Sequence, residues 1–198
     1  MILAGLSILT VIVGIYLLPF LLNLIFRNKE AILFEGRKVV IINNPLIYFI
    51  AFTTGLFNTS TIYVNSKFSK LLIENEYKIT LYHEIAHIVK GHVLYNTILL
   101  SLEVGVMVFI IQIFDFNEQM AILSVFGLRY FYKYVYGNLF RLAHYKMEHE
   151  ADLYAYAKTK LSASILDWYE KIERFRSSKT HPSINDRMDK ISSVMIKK

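Results

Sequence analysis

The sequence predicts an α+β membrane protein, mainly α-helical, in which a soluble domain with a small sheet is interrupted by a transmembrane helical hairpin. Three features predict this class: an apolar composition, long uncharged stretches, and a β-rich segment that gives way to helical periodicity. The 198 residues are 55% hydrophobic and only 19% charged, which is more apolar than typical soluble proteins. The length favours one domain.

Three apolar stretches have lengths that suit a bilayer, which a helix of about 20 residues can cross. The first, residues 2–26, is 25 residues long without a charge, and it lacks the basic leader and cleavage site of a signal peptide. The second and third run from about Val93 to Phe114 and from about Ala121 to Leu142. The predicted parts are therefore an anchor (1–26), two halves of one soluble domain (27–92 and 143–198) and a hairpin between them (93–142).

Basic residues lie on one side of all three predicted spans. They follow the first span, precede the second and end the third: Arg27, Lys29, Arg37, Lys38, Lys90, Arg141 and Lys146. Short loops rich in Lys and Arg remain cytoplasmic, so we expect the N-terminus outside and both halves of the soluble domain at the cytoplasmic face. The net charge of +6 suits an anionic lipid bilayer as partner. No nucleic-acid-binding motif is evident, and no nucleic-acid partner is predicted.

The soluble part begins with a β-rich segment. Residues 38–65 are rich in β-branched and aromatic side chains and are broken at Asn43-Asn44-Pro45 and at Gly55, which predicts two or three short strands. From about Ile73 the apolar residues recur at spacings of three and four, as in a helix. A second pattern of this kind predicts a late helix packed on the core through Leu161, Ile165, Trp168 and Ile172.

The early helix carries the sequence HEIAH, residues 83–87. His83 and His87 are four residues apart, so their imidazoles project from one helical face and can ligate one cation. Neutral imidazole suits Zn²⁺, and a catalytic zinc keeps one position open for water. Glu84 is then placed to accept the proton of that water. His92 is expected on the opposite side of the helix and is not a predicted ligand. The alternative is that so short a pattern occurs on this helix by chance.

A third ligand is expected from the acidic segment EHEAD, residues 148–152. Glu148 and Asp152 share a helical face, whereas Glu150 points roughly 200° away from Glu148. We therefore expect Glu148 to complete the metal site and Asp152 to hydrogen-bond a ligand imidazole, which fixes its tautomer and raises its basicity. A solvated helix face is the ordinary explanation for such acids. The apolar hairpin argues against it, because it returns this segment to the side that holds the two histidines.

Four motifs occur in order along the chain: AFTTG (51–55), HEIAH (83–87), EHEAD (148–152) and THPSINDR (180–187). Their order and spacing resemble the HtpX and CaaX prenyl protease family of integral-membrane zinc metallopeptidases, over roughly residues 40–190. The resemblance implies a zincin-like catalytic domain of the gluzincin type, with the ligands and base already named. It also implies that His181 and Arg187 come near the site, with His181 steadying the oxyanion.

The chain departs from that family in its approach to substrate. Ile50 stands where the family has an asparagine before Ala-Phe, and one span precedes the HEIAH motif where HtpX-type proteins usually carry two. The segment RLAHYKM replaces an Arg-rich approach to the ligand glutamate. These departures concern substrate handling more than the metal ligands.

Taken together, these features predict a membrane-embedded zinc-dependent endopeptidase that cleaves membrane-associated or unfolded proteins or peptides at the cytoplasmic face. We expect substrate to lie extended along an edge strand, which offers backbone hydrogen bonds without demanding a sequence; the predicted strand is Thr61, Ile62, Tyr63, Val64 and Asn65. The alternative is a catalytically idle membrane protein whose zinc, if any, has a structural role. A maturase dedicated to one secreted peptide would share the chemistry and differ in substrate.

Overall fold

The computed structural model describes residues 30–43, 50–55, 60–99, 118–160, 162–173 and 182–195, with four isolated positions elsewhere. The described strands are β1 (Ala31–Phe34), β2 (Arg37–Ile42), β3 (Ala51–Thr54) and β4 (Thr61–Asn65). The helices are α1 (Ser66–Ser69), α2 (Glu74–Val89), α3 (Glu118–Thr159), α4 (Ser162–Glu173) and α5 (Ile184–Met195). Residues 92–99 are also helical. The prediction of a mainly helical protein with a small sheet is confirmed.

The four described strands form one mixed sheet in the order β1-β2-β4-β3. β1 and β2 are an antiparallel hairpin, β2 and β4 run parallel, and β3 is antiparallel to β4. The hairpin turns at Glu35 and Gly36, which have φ values of 49° and 71°. Alternating side chains divide the sheet into two faces, and one face, with Val39, Ile62 and Val64, packs on α2.

The predicted edge strand proves to be an interior strand. β4 pairs with β2 on one side and β3 on the other, and its residues Thr61, Ile62, Tyr63 and Val64 are buried, with Asn65 half-buried. Its backbone groups are therefore used within the sheet, and the prediction that Thr61–Asn65 forms an edge for substrate is wrong. Among the described strands the edge next to β4 is β3.

Helix α2 lies at the centre of the fold and has well-defined ends. It begins after Ile73, whose backbone N–H donates to Glu76 Oε2 at 2.9 Å. The buried Glu76 carboxylate also accepts from Lys171 Nζ at 2.6 Å, which ties the first turn of α2 to α4. At the other end the chain leaves α2 through Gly91, where φ is +73°. The left-handed turn at this glycine redirects the chain before His92.

The predicted late helix is confirmed as α4. Its apolar stripe enters the main core cluster together with residues of α1, α2, α3 and α5: Phe68, Ile79, Ala155, Ile165, Trp168, Tyr169, Ile172 and Ile191. This cluster and the one under the sheet lie on either side of α2. Helix α2 is thus held between the sheet and the later helices, and its site-bearing face is fixed by packing on both sides.

The predicted anchor and most of the second predicted span lie outside the described residues. The backbone of the third predicted span is helical and continues through α3 to Thr159. In the part of the chain that the structure describes, none of the helices combines the length and the apolar content needed to cross a bilayer. The membrane hairpin and its orientation stay predictions.

Candidate metal centre

Helices α2 and α3 bring two imidazoles and one carboxylate to a common point. The Nε2 atoms of His83 and His87 are 3.2 Å apart. Glu148 Oε2 lies 3.6 Å from His83 Nε2, and Glu148 Oε1 lies 3.7 Å from His87 Nε2. These three side chains form the one group in the described part of the chain whose ligand atoms could hold a metal ion.

The spacing of these atoms fits a tetrahedral metal ion. Metal–ligand bonds of about 2.0–2.1 Å at the tetrahedral angle separate neighbouring ligand atoms by about 3.3–3.4 Å. The two Nε2 atoms are 3.2 Å apart, close to that value. Each also lies 3.6 or 3.7 Å from one Glu148 oxygen, Oε2 for His83 and Oε1 for His87, and one ligand atom from each residue lies within 4.8 Å of the other two. Burial, with a smaller effect from the neighbouring His83, lowers the pKa of His87 to about 3, so this imidazole is neutral and can offer a lone pair. Two imidazoles and one carboxylate are also a donor set of catalytic zinc sites.

The orientation of His83 is set by Asp152 on α3. His83 Nδ1 lies 2.8 Å from Asp152 Oδ1, so Nδ1 donates to the carboxylate and Nε2 is left without a proton to face the metal position. Burial opposes protonation of His83, but the hydrogen bond and charge of Asp152 outweigh it and raise the pKa of the imidazole. Greater basicity strengthens a metal ligand. The hydrogen bond that the sequence predicts between Asp152 and an imidazole of the HEIAH motif is present, and its role toward a metal stays a prediction.

Arg187 on α5 links the carboxylate of Asp152 to that of Glu148. Its Nε donates to Asp152 Oδ2 at 2.5 Å, and its Nη2 contacts Asp152 Oδ1. Its Nη1 lies 3.5 Å from Glu148 Oε2. Burial alone would raise the pKa of Asp152, but Arg187 and His83 hold that pKa well below its usual range. Asp152 is therefore a charged acceptor at neutral pH.

The carboxylate of Glu84 is held from the sheet. Thr53 Oγ1, on β3, donates to Glu84 Oε2 at 2.7 Å. Burial raises the pKa of Glu84, while His83 and the Thr53 hydrogen bond oppose that rise. Thr53 was not among the predicted site residues. It lies in the AFTTG motif, but its contact with a residue 31 positions later has no local signal.

His92 does not lie where the helical projection places it. Its Nδ1 is 3.0 Å from His87 Nδ1, and its Nε2 is 3.2 Å from Glu150 Oε2. The projection assumed one continuous helix, whereas α2 ends at Val89 and the turn at Gly91 brings His92 back toward His87. His92 is not in the donor group of His83, His87 and Glu148, but it contacts a member of that group.

Trp168 has a contact at the site in addition to its predicted place in the core. Trp168 is buried in the core as expected, yet its ring centroid also lies 5.6 Å from that of His83, and its Nε1 donates to Thr80 Oγ1 at 2.7 Å. It therefore forms one wall of the site. His181 lies outside the described residues, and its role stays a prediction.

Comparison with known proteins gives the family. The model of peptidase family M48 matches residues 22–195, which is most of the chain. The chain belongs to peptidase family M48. This is the family of membrane zinc metallopeptidases that includes the HtpX and Ste24 proteins, as the resemblance implied, and membership supports a metallopeptidase. None of the curated proteins matches the chain in sequence.

A solved structure shares the fold. The crystal structure of S. mikatae Ste24p matches 96% of this chain with a TM-score of 0.66 and 16% sequence identity. At that identity the likeness concerns the fold. The match covers 57% of the Ste24p chain, so this M48 chain spans little more than half the length of that protein.

We predict that Asp152→Asn weakens zinc binding by about 10- to 100-fold, the usual effect of losing an outer-shell partner. An asparagine carries no charge to hold the His83 Nδ1 proton, and it leaves Arg187 less well neutralised. The measurement is the zinc dissociation constant of the purified chain, obtained by competition with a chromophoric chelator. Asp189→Asn, an exposed position on α5, is the matched control. Equal affinities for wild type and folded Asp152→Asn would contradict the assignment.

Proposed function

We propose that this chain is a membrane-embedded, zinc-dependent endopeptidase that cleaves membrane-associated or unfolded proteins or peptides at the cytoplasmic face. The observation that carries the proposal is the position of Glu84, a buried carboxylate adjacent in sequence to one member of a three-residue donor group. Structural zinc sites use four protein ligands, whereas catalytic sites use three. A base beside a three-ligand site is useful only if water reacts there.

The donor group His83, His87 and Glu148 would hold the metal. When bound, zinc would lower the pKa of a water molecule and polarise the carbonyl of the scissile peptide bond. Glu84 would accept a proton from the attacking water as its oxygen bonds to the carbonyl carbon. The same carboxylic acid would then give the proton to the amine as the carbon–nitrogen bond breaks. We retain His181 as a candidate for stabilising the oxyanion, supported by the resemblance of THPSINDR to the family motif.

Thr53 would aim Glu84 at the attacking water. Its hydroxyl binds Oε2 and has the backbone oxygen of Glu84 at 3.4 Å. This contact restricts the carboxylate to one orientation and leaves Oε1 as the oxygen that can take a proton. The same contact joins β3 to α2, so the position of the Glu84 carboxylate relative to β3 is fixed.

The geometry moves the proposed substrate strand from β4 to β3. β3 is an edge of the described sheet, and Thr53 connects it directly to Glu84. An extended peptide paired with β3 would place its backbone beside the base. Main-chain pairing supplies affinity without strong sequence preference, which suits unfolded or membrane-derived substrates.

Three sequence features support the membrane location. They are the uncharged stretch at residues 2–26, the apolar character of residues 93–114 and the basic residues that flank both. Membership of a family of membrane peptidases agrees with them. The positive flanks support a catalytic side that faces the cytoplasm.

We predict that Glu84→Gln retains zinc and loses about 10²- to 10⁴-fold in cleavage rate, the range for loss of a general base. Cleavage of an unfolded soluble protein and of a detergent-solubilised membrane protein is followed by gel and mass spectrometry. Chelation should abolish wild-type cleavage, and added zinc should restore it. Glu170→Gln, an exposed position on α4, should behave as wild type.

Two results would go against the enzyme. Wild-type rates for zinc-loaded Glu84→Gln would exclude Glu84 as the base. A folded, zinc-loaded wild type that cleaves neither substrate would favour the idle structural alternative.

We predict that Thr53→Val lowers kcat/KM by about 10- to 150-fold, because hydrogen bonds to charged groups contribute about 1.5–3 kcal/mol. Zinc affinity should not change, since Thr53 contacts the base and not the donor group. Thr53→Ser keeps the hydroxyl and should recover the rate. Thr54→Val, on the opposite face of β3, is the control. A Thr53→Val enzyme as fast as wild type would show that the contact does not orient Glu84.

A further inference from the structure

A chain of three side chains runs outward from the metal centre along the side of His87. His87 Nδ1 is 3.0 Å from His92 Nδ1, and His92 Nε2 is 3.2 Å from Glu150 Oε2. His92 is buried, at 5% relative exposure, whereas the Glu150 side chain is 38% exposed. The chain therefore starts at the donor group and ends near solvent, and the mechanism above does not use its outer two residues.

The chemistry of these contacts fixes where each proton lies. A neutral imidazole has one N–H, and the close approach of two Nδ1 atoms requires one donor and one acceptor. Glu150, as a carboxylate, can only accept, so it favours the His92 tautomer with its proton on Nε2. His92 Nδ1 then accepts from His87 Nδ1. His87 keeps no proton on Nε2, the nitrogen that faces His83 and Glu148.

The opposite arrangement would disable the site. If His92 carried its proton on Nδ1, His87 Nδ1 would have to accept it. The His87 proton would then lie on Nε2 and block the lone pair that a metal needs. The donor and acceptor roles along this row of hydrogen bonds are thus set by Glu150, which can only accept.

We propose that His92 and Glu150 are positioning residues that fix the metal-binding tautomer and ring orientation of His87. They would support His87 in the way that Asp152 supports His83. The inference rests on the proposed zinc site, and it assigns a role to two residues that the proposed reaction leaves idle. His92 touches neither substrate nor metal and acts through His87.

The structure explains how these residues come together. The turn at Gly91 starts a new helical segment at His92, and the His92 ring contacts that of His87, five residues earlier in the sequence. Glu150 faces away from the ligand Glu148 on α3 and meets His92 across a separation of 58 residues. Lys146 Nζ lies 4.0 Å from Glu150 Oε1 and forms an outer ion pair at the solvent end.

The test compares the zinc dissociation constants of His92→Leu, His92→Asn and Glu150→Met with that of the purified full chain. His92→Leu removes the acceptor and should weaken zinc binding by about 10- to 100-fold. His92→Asn places an amide oxygen near the position of Nδ1, and should recover most of the lost affinity. Glu150→Met should weaken binding less than His92→Leu. Lys146→Gln removes only the outer ion pair and should bind zinc as wild type does.

Thermal unfolding of the zinc-free proteins separates positioning from a structural role. We expect His92→Leu and His92→Asn to differ in zinc affinity and to unfold at similar temperatures without zinc. The proposal would be overturned if His92→Leu binds zinc as tightly as wild type, or if His92→Asn recovers no affinity. It would also be overturned if the loss of zinc affinity among the variants parallels the loss of melting temperature in their zinc-free forms. Unchanged affinity in Glu150→Met would remove Glu150 from it. If wild type binds no zinc, the metal centre and the proposed function fail together with it.

Discussion

The carboxylate of Asp152 lies where three helices meet, and the geometry of the candidate metal centre depends on it. The residue belongs to α3, accepts from His83 on α2, and is clamped by Arg187 on α5. A charged carboxylate at 1% exposure is tolerated only because two partners compensate its charge and fill its hydrogen-bonding capacity. The resulting geometry leaves His83 Nε2 free and keeps Glu148, one turn earlier on α3, within reach of Arg187.

The two histidines of the donor group are supported in different ways. His83 depends on a fully buried pair of opposite charges, which is rigid and costly to disturb. His87 is backed by another imidazole and a partly exposed carboxylate, and this row of contacts ends near solvent. The sheet provides a third connection through Thr53 and Glu84. Each polar side chain that faces the centre is thus held from a different element.

Local sequence patterns predict the parts of the site that depend on helical spacing. Positions i and i+4 place His83 beside His87 and Glu148 beside Asp152 whatever the tertiary structure, because helix geometry alone sets these faces. The sheet order depends on pairings between distant segments, which carry no local signal, and β4 was therefore predicted as an edge strand when it is interior. The predicted position of His92 assumes a continuous helix, whereas the backbone turns at Gly91 before His92. Thr53 was missed because its contact spans the sheet and the motif helix.

The central claim is that His83, His87 and Glu148 bind one zinc ion. X-ray absorption at the zinc edge, on the one-zinc protein and on a His87→Ala variant, tests it most directly. The account predicts two imidazoles together with oxygen donors at about 2.0–2.1 Å in wild type, and one imidazole in the variant. An imidazole count that is zero in wild type, or that stays the same in the variant, would contradict it.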